Sequence, residues 1–262
     1  MRCAVSNIAW GEQEDEQMLL FLKEQGFEGL EIAPTRLFPD RPYEQKEAAA
    51  RFAGELLERY GLAIPSMQSI WYGRQEKLFG SAGERHALLA YTKQAVDFAA
   101  ACGCRNLVFG CPKNRLRPDG APEETALEFF REIGAYGAQR GVVLGLEANP
   151  PIYGTNFMNA TRDAFEVARR CASPGVGVNL DMGTVIAGEE ELCLPPEDVA
   201  LISHVHISEP GLAPVEKRPL HQTLARQLQA GGYRGFVSLE MGAGAGLRQV
   251  QACAAYIKEV FA

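Results

Sequence analysis

Short apolar runs alternate with longer amphipathic stretches along the whole chain. In the amphipathic stretches, apolar or small residues recur at steps of three and four, as in Leu88, Thr92 and Ala95, which is the spacing of one helix face. This alternation predicts repeated strand–helix units and a parallel sheet. We predict eight strands, at Ala4–Ile8, Gly29–Ile32, Ile64–Ser69, Asn106–Phe109, Val142–Leu146, Gly177–Leu180, His204–Ile207 and Val237–Leu239.

No linker, charge block or low-complexity tract divides the chain, so residues 1–262 are predicted to form one domain. Eight strand–helix units in an undivided chain of this length favour a (β/α)8 TIM barrel. An open dinucleotide-binding sheet is disfavoured, because residues 6–13, SNIAWGEQ, lack the G-x-G-x-x-G pattern expected after its first strand. In the sixth unit, prolines leave room for only a short helix near Glu197–Leu201. A barrel predicts that the active site lies where strands end and the following loops begin.

Four consecutive predicted strands each carry a potential metal ligand at or near their end. The fifth ends LGLE at Glu147, the sixth VNLD at Asp181, the seventh contains His206 in HVHIS, and the eighth ends VSLE at Glu240. One such acid alone is equally consistent with the first exposed residue of a loop, but four in register on adjacent strands favour convergence on one point. Three carboxylates and an imidazole form an oxygen-rich set that suits one divalent cation, with Mn2+ favoured and Mg2+, Co2+ or Zn2+ as alternatives.

The segments around these residues carry a family resemblance. LEANPPIYGTNF, NLDMGT, HVHISEP and SLEMG resemble the metal-ligand motifs of the xylose isomerase-like TIM-barrel superfamily, the sugar phosphate isomerase/epimerase group, and the match spans essentially the whole chain. The resemblance implies a divalent-metal-dependent isomerase or epimerase of a carbohydrate or polyol derivative. Proton transfer next to a carbonyl, through an enediolate, would then use Glu147 and Glu240 as acid–base catalysts.

Three positions depart from the ketose 3-epimerases of this superfamily. These enzymes usually have His, Glu and Arg where this chain has Thr184, Tyr153 and Leu212, so a free ketohexose is not the expected substrate. Apurinic-site endonucleases of the superfamily need several more histidines than the 4 present here. Two alternatives stay open: a metal-dependent lyase or dehydratase acting on a sugar-derived or cyclic polyol keto compound, and a non-catalytic sugar-binding subunit.

The loop after the fourth predicted strand, FGCPKNRLRPDG, concentrates positive charge on the face where barrel active sites lie. We predict that Lys113 and Arg115 bind an anionic part of the substrate, since guanidinium and ammonium groups pair with carboxylate or phosphate. A solvated loop with ordinary surface charges is the alternative. Further candidate substrate contacts are Asn149, Tyr153, Trp71, Gln68 and His221. Packing of Trp71 against a neighbouring loop, a supporting role for Gln68, and an ordinary helix-start role for His221 are the corresponding alternatives.

The composition and net charge of the chain disfavour several classes of binding partner. A hydrophobic content of 47% supports a buried core, and a net charge of -7 opposes nucleic-acid binding. The N-terminal residues lack the layout of a signal peptide, and no apolar run is long enough for a membrane span, so no membrane partner is expected. Seven cysteines without paired metal-site spacing are expected to be reduced thiols in a cytoplasmic protein. The sequence leaves the oligomeric state open.

Overall fold

All eight predicted strands are present in a computed structural model that describes residues 1–262. The fourth strand has its predicted bounds, whereas the first starts and ends earlier than predicted because Asn7–Ala9 forms a 3-10 turn. The strands are β1 (Arg2–Ser6), β2 (Gly29–Glu31), β3 (Ser66–Met67), β4 (Asn106–Phe109), β5 (Val143–Leu146), β6 (Val176–Asp181), β7 (Ile202–Ile207) and β8 (Phe236–Leu239).

Parallel pairing closes the sheet into a barrel. Each strand from β3 to β8 pairs with its sequence neighbour, and β1 pairs with both β2 and β8. Between β2 and β3 the gap is bridged by the parallel pairs Gly29–Ala63 and Ile32–Met67. The architecture is therefore the predicted (β/α)8 barrel.

Helices lie between successive strands. The pattern of Leu88, Thr92 and Ala95 lies in a long helix, as predicted. The sixth unit contains two short helices, where the prolines predicted one near Glu197–Leu201. The helices are α1 (Asp15–Glu24), α2 (Pro34–Leu37), α3 (Lys46–Tyr60), α4 (Ala82–Ala101), α5 (Glu124–Ala138), α6 (Thr161–Cys171), α7 (Met182–Ala187), α8 (Pro196–Val199), α9 (Pro219–Ala230) and α10 (Leu247–Phe261). None of them is both long enough and apolar enough to cross a membrane.

Alternate strand residues divide the molecule into an apolar layer and a polar barrel interior. Leu107, Phe109, Leu144 and Leu146 belong to the hydrophobic core of the molecule. The strand residues that alternate with these apolar ones face the barrel interior. They are mostly small or polar, and the polar ones hydrogen-bond to one another across the barrel. The buried polar interior residues are Ser6, Glu31, Ser66, Gln68, Asn106, Asn179, His204, His206 and Ser238. This polar interior leads upward to the carboxyl ends of the strands.

Candidate metal centre and active site

The four residues predicted as metal ligands meet at the carboxyl end of the barrel. His206 is fully buried, and its Nδ1 lies 3.2 Å from Oε2 of Glu147 and 3.3 Å from Oε2 of Glu240. Asp181, His206 and Glu240 each offer a ligand atom, and these three atoms lie within 4.8 Å of one another. The barrel thus brings together side chains from β6, β7 and the residues that follow β5 and β8.

Asp181 is held in place by the start of helix α7. As the N-cap residue, its Oδ2 accepts hydrogen bonds from the Thr184 amide at 2.8 Å and the Thr184 hydroxyl at 2.9 Å. Ser208 donates to Oδ1 of the same carboxylate. A Cβ at Gly183 would lie 2.8 Å from Ser208 Oγ, so glycine allows this close approach. The residue that replaces the usual histidine, Thr184, therefore orients a predicted metal ligand.

Glu147 is oriented by two amide side chains. Asn149 donates to Oε1 at 2.9 Å, and Asn179 donates to Oε2 at 2.7 Å. A Cβ at Gly110 would lie 2.7 Å from Oε1 of Glu147, so a side chain there would displace the carboxylate. The carboxylate is therefore fixed from two sides within a buried setting.

The second ring nitrogen of His206 contacts a carboxylate that our sequence analysis missed. Nε2 lies 2.9 Å from Oε1 of Glu31, which is fully buried on β2 and also accepts a hydrogen bond from Ser66 at 2.7 Å. Histidines that bind metals usually donate their other ring N–H to such a carboxylate. The available sequence signal was weaker than for Glu147: the segment Gly29–Glu31 reads GLE, like the end of the fifth strand, but only Leu30 is a large apolar residue before the acid.

Burial and mutual repulsion dominate the electrostatics of the cluster. Burial, reinforced by the charges of Glu147 and Glu240, raises the pKa of Asp181 to about 7. Burial likewise raises the pKa of Glu240. Burial alone would raise the pKa of Glu31, but the neighbouring His206 and His204 lower it to about 2. Burial would lower the pKa of His206, yet the surrounding carboxylates, Glu31 first, raise it well above its ordinary value.

The donor set fits a hard divalent cation. With Nε2–H donated to Glu31, Nδ1 of His206 lies 3.2 Å from the amide nitrogen of Asn179 and also faces two carboxylate oxygens, so a cation among them would be shared by the imidazole and both carboxylates. A proton on Nδ1 satisfies this geometry but leaves the carboxylates of Asp181, Glu147 and Glu240 crowded together. Carboxylate oxygens plus one imidazole nitrogen suit Mn2+, Mg2+, Co2+ or Zn2+. Glu147, Asp181, His206 and Glu240 are therefore the residues that would hold such an ion.

Two predicted substrate contacts lie beside this cluster, and a third, Gln68, directly follows β3. Asn149 hydrogen-bonds to Glu147, and Gln68 is buried in the barrel with its carbonyl oxygen accepting from Ser6 at 3.0 Å. The Tyr153 hydroxyl accepts a hydrogen bond from the Gly211 amide at 2.7 Å. Burial, with added repulsion from Asp181, Glu240 and Glu147, raises the pKa of Tyr153, so its hydroxyl stays protonated and can donate. These residues remain predicted substrate contacts.

Three other predicted contacts are corrected by the structure. Trp71 is only 2% exposed, donates its indole N–H to Thr92 at 2.8 Å and packs edge-on against Phe109, so it belongs to the core. His221 is fully buried in α9, where its Nδ1 lies 3.1 Å from the Tyr256 hydroxyl. Both rings are thereby inaccessible to a substrate, because helix and loop packing cover them.

Arg115 is the third correction. Its side chain is fully buried, with Nη1 donating to the Glu147 carbonyl at 2.7 Å and Nη2 donating to Oδ1 of Asn149 at 2.9 Å. These bonds fix the segment that carries Glu147 and leave no exposed guanidinium for an anion. Lys113, by contrast, is exposed and makes no ion pair, so it stays available to a ligand.

Loss of the Arg115 side chain is expected to destabilise the protein. Arg115→Ala would leave the Glu147 carbonyl and the Asn149 amide oxygen without their charged donor, at a cost of about 3 kcal/mol in the free energy of unfolding. Urea unfolding measures this value. The matched control is Arg51→Ala, at an exposed arginine on α3, for which less than about 0.5 kcal/mol is expected. Equal stability of the two variants would contradict a structural role for Arg115.

Comparison with known proteins agrees with this architecture. One solved structure with the same fold is D-psicose 3-epimerase from Clostridium cellulolyticum H10, with a TM-score of 0.77 over 99% of both chains and 15% identity. Another is 3-keto-D-glucoside 4-epimerase from E. coli, with a TM-score of 0.72 over 99% of this chain and 98% of that chain and 20% identity. An AP endonuclease, family 2, from Brucella melitensis has a TM-score of 0.72, 96% coverage of each chain and 21% identity. No curated protein sequence matches the chain.

The closed parallel barrel, with its polar cluster at the carboxyl ends of the strands, places the protein in the class of (β/α)8 barrels with a site in the usual position. Its sequence matches the family profile of the xylose isomerase-like TIM barrel over residues 19–259. The chain belongs to that family.

Proposed function

We propose that this protein is a divalent-metal-dependent isomerase or epimerase that acts on a carbohydrate or polyol derivative. The observation that carries the proposal is the position of Glu147 and Glu240 on either side of His206 Nδ1, at 3.2 and 3.3 Å, with Asp181 in the same cluster. Two structural neighbours, D-psicose 3-epimerase and 3-keto-D-glucoside 4-epimerase, are named for reactions of this class.

The two glutamates would carry the proton transfers. A divalent cation held by the cluster would polarise the substrate carbonyl and stabilise the enediolate that forms when the neighbouring carbon loses its proton. Glu147 and Glu240 follow β5 and β8, so a substrate bound over the cluster lies between two carboxylates. One removes the proton from carbon and the other returns a proton to the opposite face, as epimerisation requires; isomerisation needs one of them and a proton relay between oxygens. Asp181 and His206 would hold the ion without transferring protons to or from carbon.

The loops above the cluster favour a substrate other than a free ketohexose. The Tyr153 hydroxyl accepts from the Gly211 amide, and the carbonyl of Leu212 accepts from the Gly242 amide at 2.9 Å. Two of the three positions that differ from ketose 3-epimerases thus lie in or beside contacts that join the loops after β5, β7 and β8. At the sequence positions where the ketose 3-epimerases usually carry a charged Glu and Arg, this chain therefore has the uncharged Tyr153 and Leu212.

Lys113 is proposed to bind an anionic group of the substrate. It lies in the loop after β4, on the same face as the cluster, and its ammonium is free of any carboxylate. Lys113→Ala is expected to raise KM for an anionic substrate about tenfold and leave kcat nearly unchanged, because the charge pairs equally in the ground and transition states. Steady-state kinetics measures both constants, with Lys93→Ala on α4 as the control. An unchanged KM would remove Lys113 from the binding site.

Metal removal tests the centre directly. Because an ion that binds only the folded state stabilises it, Mn2+ at about 100 times its Kd should add about 2.7 kcal/mol to the free energy of unfolding. EDTA should therefore lower Tm, and Mn2+ should restore it. Asp181→Asn should lose most of the Mn2+-dependent rise, whereas Asp119→Asn, in the exposed loop before α5, should keep it. A Tm that changes with neither EDTA nor Mn2+ would contradict the proposed metal site.

Product analysis in D2O distinguishes the reactions that this site could catalyse. A panel containing a 3-keto-D-glucoside and anionic sugar derivatives, with the free ketohexoses D-psicose and D-tagatose as expected non-substrates, would be incubated with the Mn2+-loaded protein and examined by NMR and mass spectrometry. Epimerisation by proton transfer places solvent deuterium at the reacting carbon and otherwise conserves mass. Loss of water would identify the dehydratase alternative, and isomerisation without deuterium would indicate a hydride shift.

A further inference from the structure

A cavity lies at the opposite end of the barrel from the cluster of Glu147, Asp181, His206 and Glu240. It has a volume of about 450 Å³, within the range of small-molecule sites, and is bordered by the amino ends of several strands. Its polar lining residues are Arg2, Arg105, Asn106, Ser203 and His204. No acidic residue lines it, although the protein as a whole has a net charge of -7. The lining of this cavity is therefore positively charged, although the protein as a whole is negatively charged.

The two arginines at this cavity have unpaired guanidinium groups. Arg2 and Arg105 are exposed, and neither forms an ion pair with a carboxylate, whereas arginines such as Arg36, Arg140 and Arg218 do. The Arg2 guanidinium lies 4.1 Å from the centre of the Phe236 ring, which restricts its position beside the cavity. Two unpaired guanidiniums at one opening suit a doubly charged phosphate group.

The floor of the cavity carries an unsatisfied acceptor. Asn106 is only 2% exposed; its Nδ2 donates to Ser66 at 3.0 Å, while its Oδ1 is buried and has no hydrogen-bond partner. Burying an acceptor without a donor is costly, so a ligand that supplies a hydroxyl or N–H group gains from meeting it. A Cβ at Gly145 would lie 2.7 Å from that oxygen and 2.8 Å from Ser203 Oγ, so a residue larger than glycine would displace both atoms.

A strand irregularity brings Ser203 to the same place. The register between β6 and β7 shifts between Val178 and Asn179, so that Ser203 is an extra residue between the paired Ile202 and His204. Bulges of this kind redirect side chains and are frequent beside functional sites. Ser203 donates to the Val178 carbonyl at 3.2 Å, which leaves the hydroxyl oxygen able to accept a further hydrogen bond.

From these observations we propose that the cavity at the amino end of the barrel binds a phosphate monoester that carries a hydroxyl group. Arg2 and Arg105 bind the phosphate, and Asn106 Oδ1 accepts a hydrogen bond from the hydroxyl. The site is separate from the metal cluster and does not depend on the function proposed above.

Glycerol 3-phosphate and ethyl phosphate are the probes, because only the first carries hydroxyl groups. Isothermal titration calorimetry on the Mn2+-loaded protein should show glycerol 3-phosphate binding about tenfold more tightly than ethyl phosphate. Arg2→Gln and Arg105→Gln should each weaken glycerol 3-phosphate binding about tenfold or more. Arg51→Gln, at an exposed arginine on α3 that lines none of this cavity, should leave binding unchanged.

Three results would overturn the assignment. The first is the absence of measurable glycerol 3-phosphate binding, or equal binding by the Arg2, Arg105 and Arg51 variants. The second is loss of binding in Lys113→Ala, which would place the phosphate at the metal-cluster end instead. The third is equal affinity for the two probes, which would remove the hydroxyl contact to Asn106.

Discussion

Glu147→Gln and Glu240→Gln are each expected to lower kcat by about 100-fold or more, with a folded barrel retained. Glutamine keeps the size of the side chain and its hydrogen-bonding oxygen but cannot take a proton from carbon. Because each oxygen that faces His206 Nδ1 also belongs to a proposed metal ligand, kcat must be measured at saturating Mn2+. Steady-state kinetics on the substrate identified from the panel gives the value, and circular dichroism confirms folding.

Glu128→Gln is the matched control for these variants. Glu128 lies on the exposed face of α5 and makes no ion pair, so its replacement should leave kcat within about twofold of the wild-type value. A further control is exchange of the substrate C–H proton with D2O. If only one glutamate is the base for a given substrate, its variant should lose exchange while the other variant retains it. Near-normal turnover in both variants would falsify the two-carboxylate mechanism.

Glu31→Gln is expected to weaken Mn2+ binding by about 10- to 100-fold, although Glu31 does not contact the ion in this proposal. Glu31 Oε1 lies 2.9 Å from His206 Nε2 and fixes the tautomer that presents Nδ1 to Glu147 and Glu240. A neutral amide holds the imidazole N–H less strongly and can also present its own NH2 group to Nε2. Calorimetric titration of the EDTA-treated protein with Mn2+ measures the loss.

A change in metal affinity separates this positioning role from general destabilisation. Glu28→Gln, at an exposed residue just before β2, is the control and should bind Mn2+ like the wild type. The Tm of each variant is recorded in EDTA, where stability is compared without the ion. If Glu31→Gln binds Mn2+ with unchanged affinity, the contact with His206 has no part in metal binding.

The order of strands and helices could be predicted from the sequence because both depend on local periodicity. A period of two, or a short apolar run bounded by turn residues, indicates a strand, and a period near 3.6 indicates a helix. The ends of β1 and β3 were less well predicted, since a strand ends where its neighbours stop pairing, as the 3-10 turn at Asn7–Ala9 shows. The convergence of Glu147, Asp181, His206 and Glu240 followed from barrel symmetry alone.

The loop residues were less predictable, because a loop position does not determine which way a side chain points. Trp71 and Arg115 both follow strand ends, yet one packs against Phe109 and the other donates to the Glu147 carbonyl. The sequence does not distinguish an aromatic ring that binds a substrate from one that packs in the core. It likewise does not distinguish an arginine that binds an anion from one that is buried and structural. The difference is decided by the partners that the neighbouring loops supply, such as Thr92 for the indole N–H.

The sequence by itself determined the barrel and the four polar residues at its carboxyl edge, because repeated strand–helix units and strand-end residues are local features read along the chain. Only the tertiary structure joined Glu31 to His206, which is 175 residues away in sequence, and opened the cavity between Arg2 and Arg105. Barrel closure causes both effects: it brings β2 opposite β7 and gathers the amino ends of distant strands around one space.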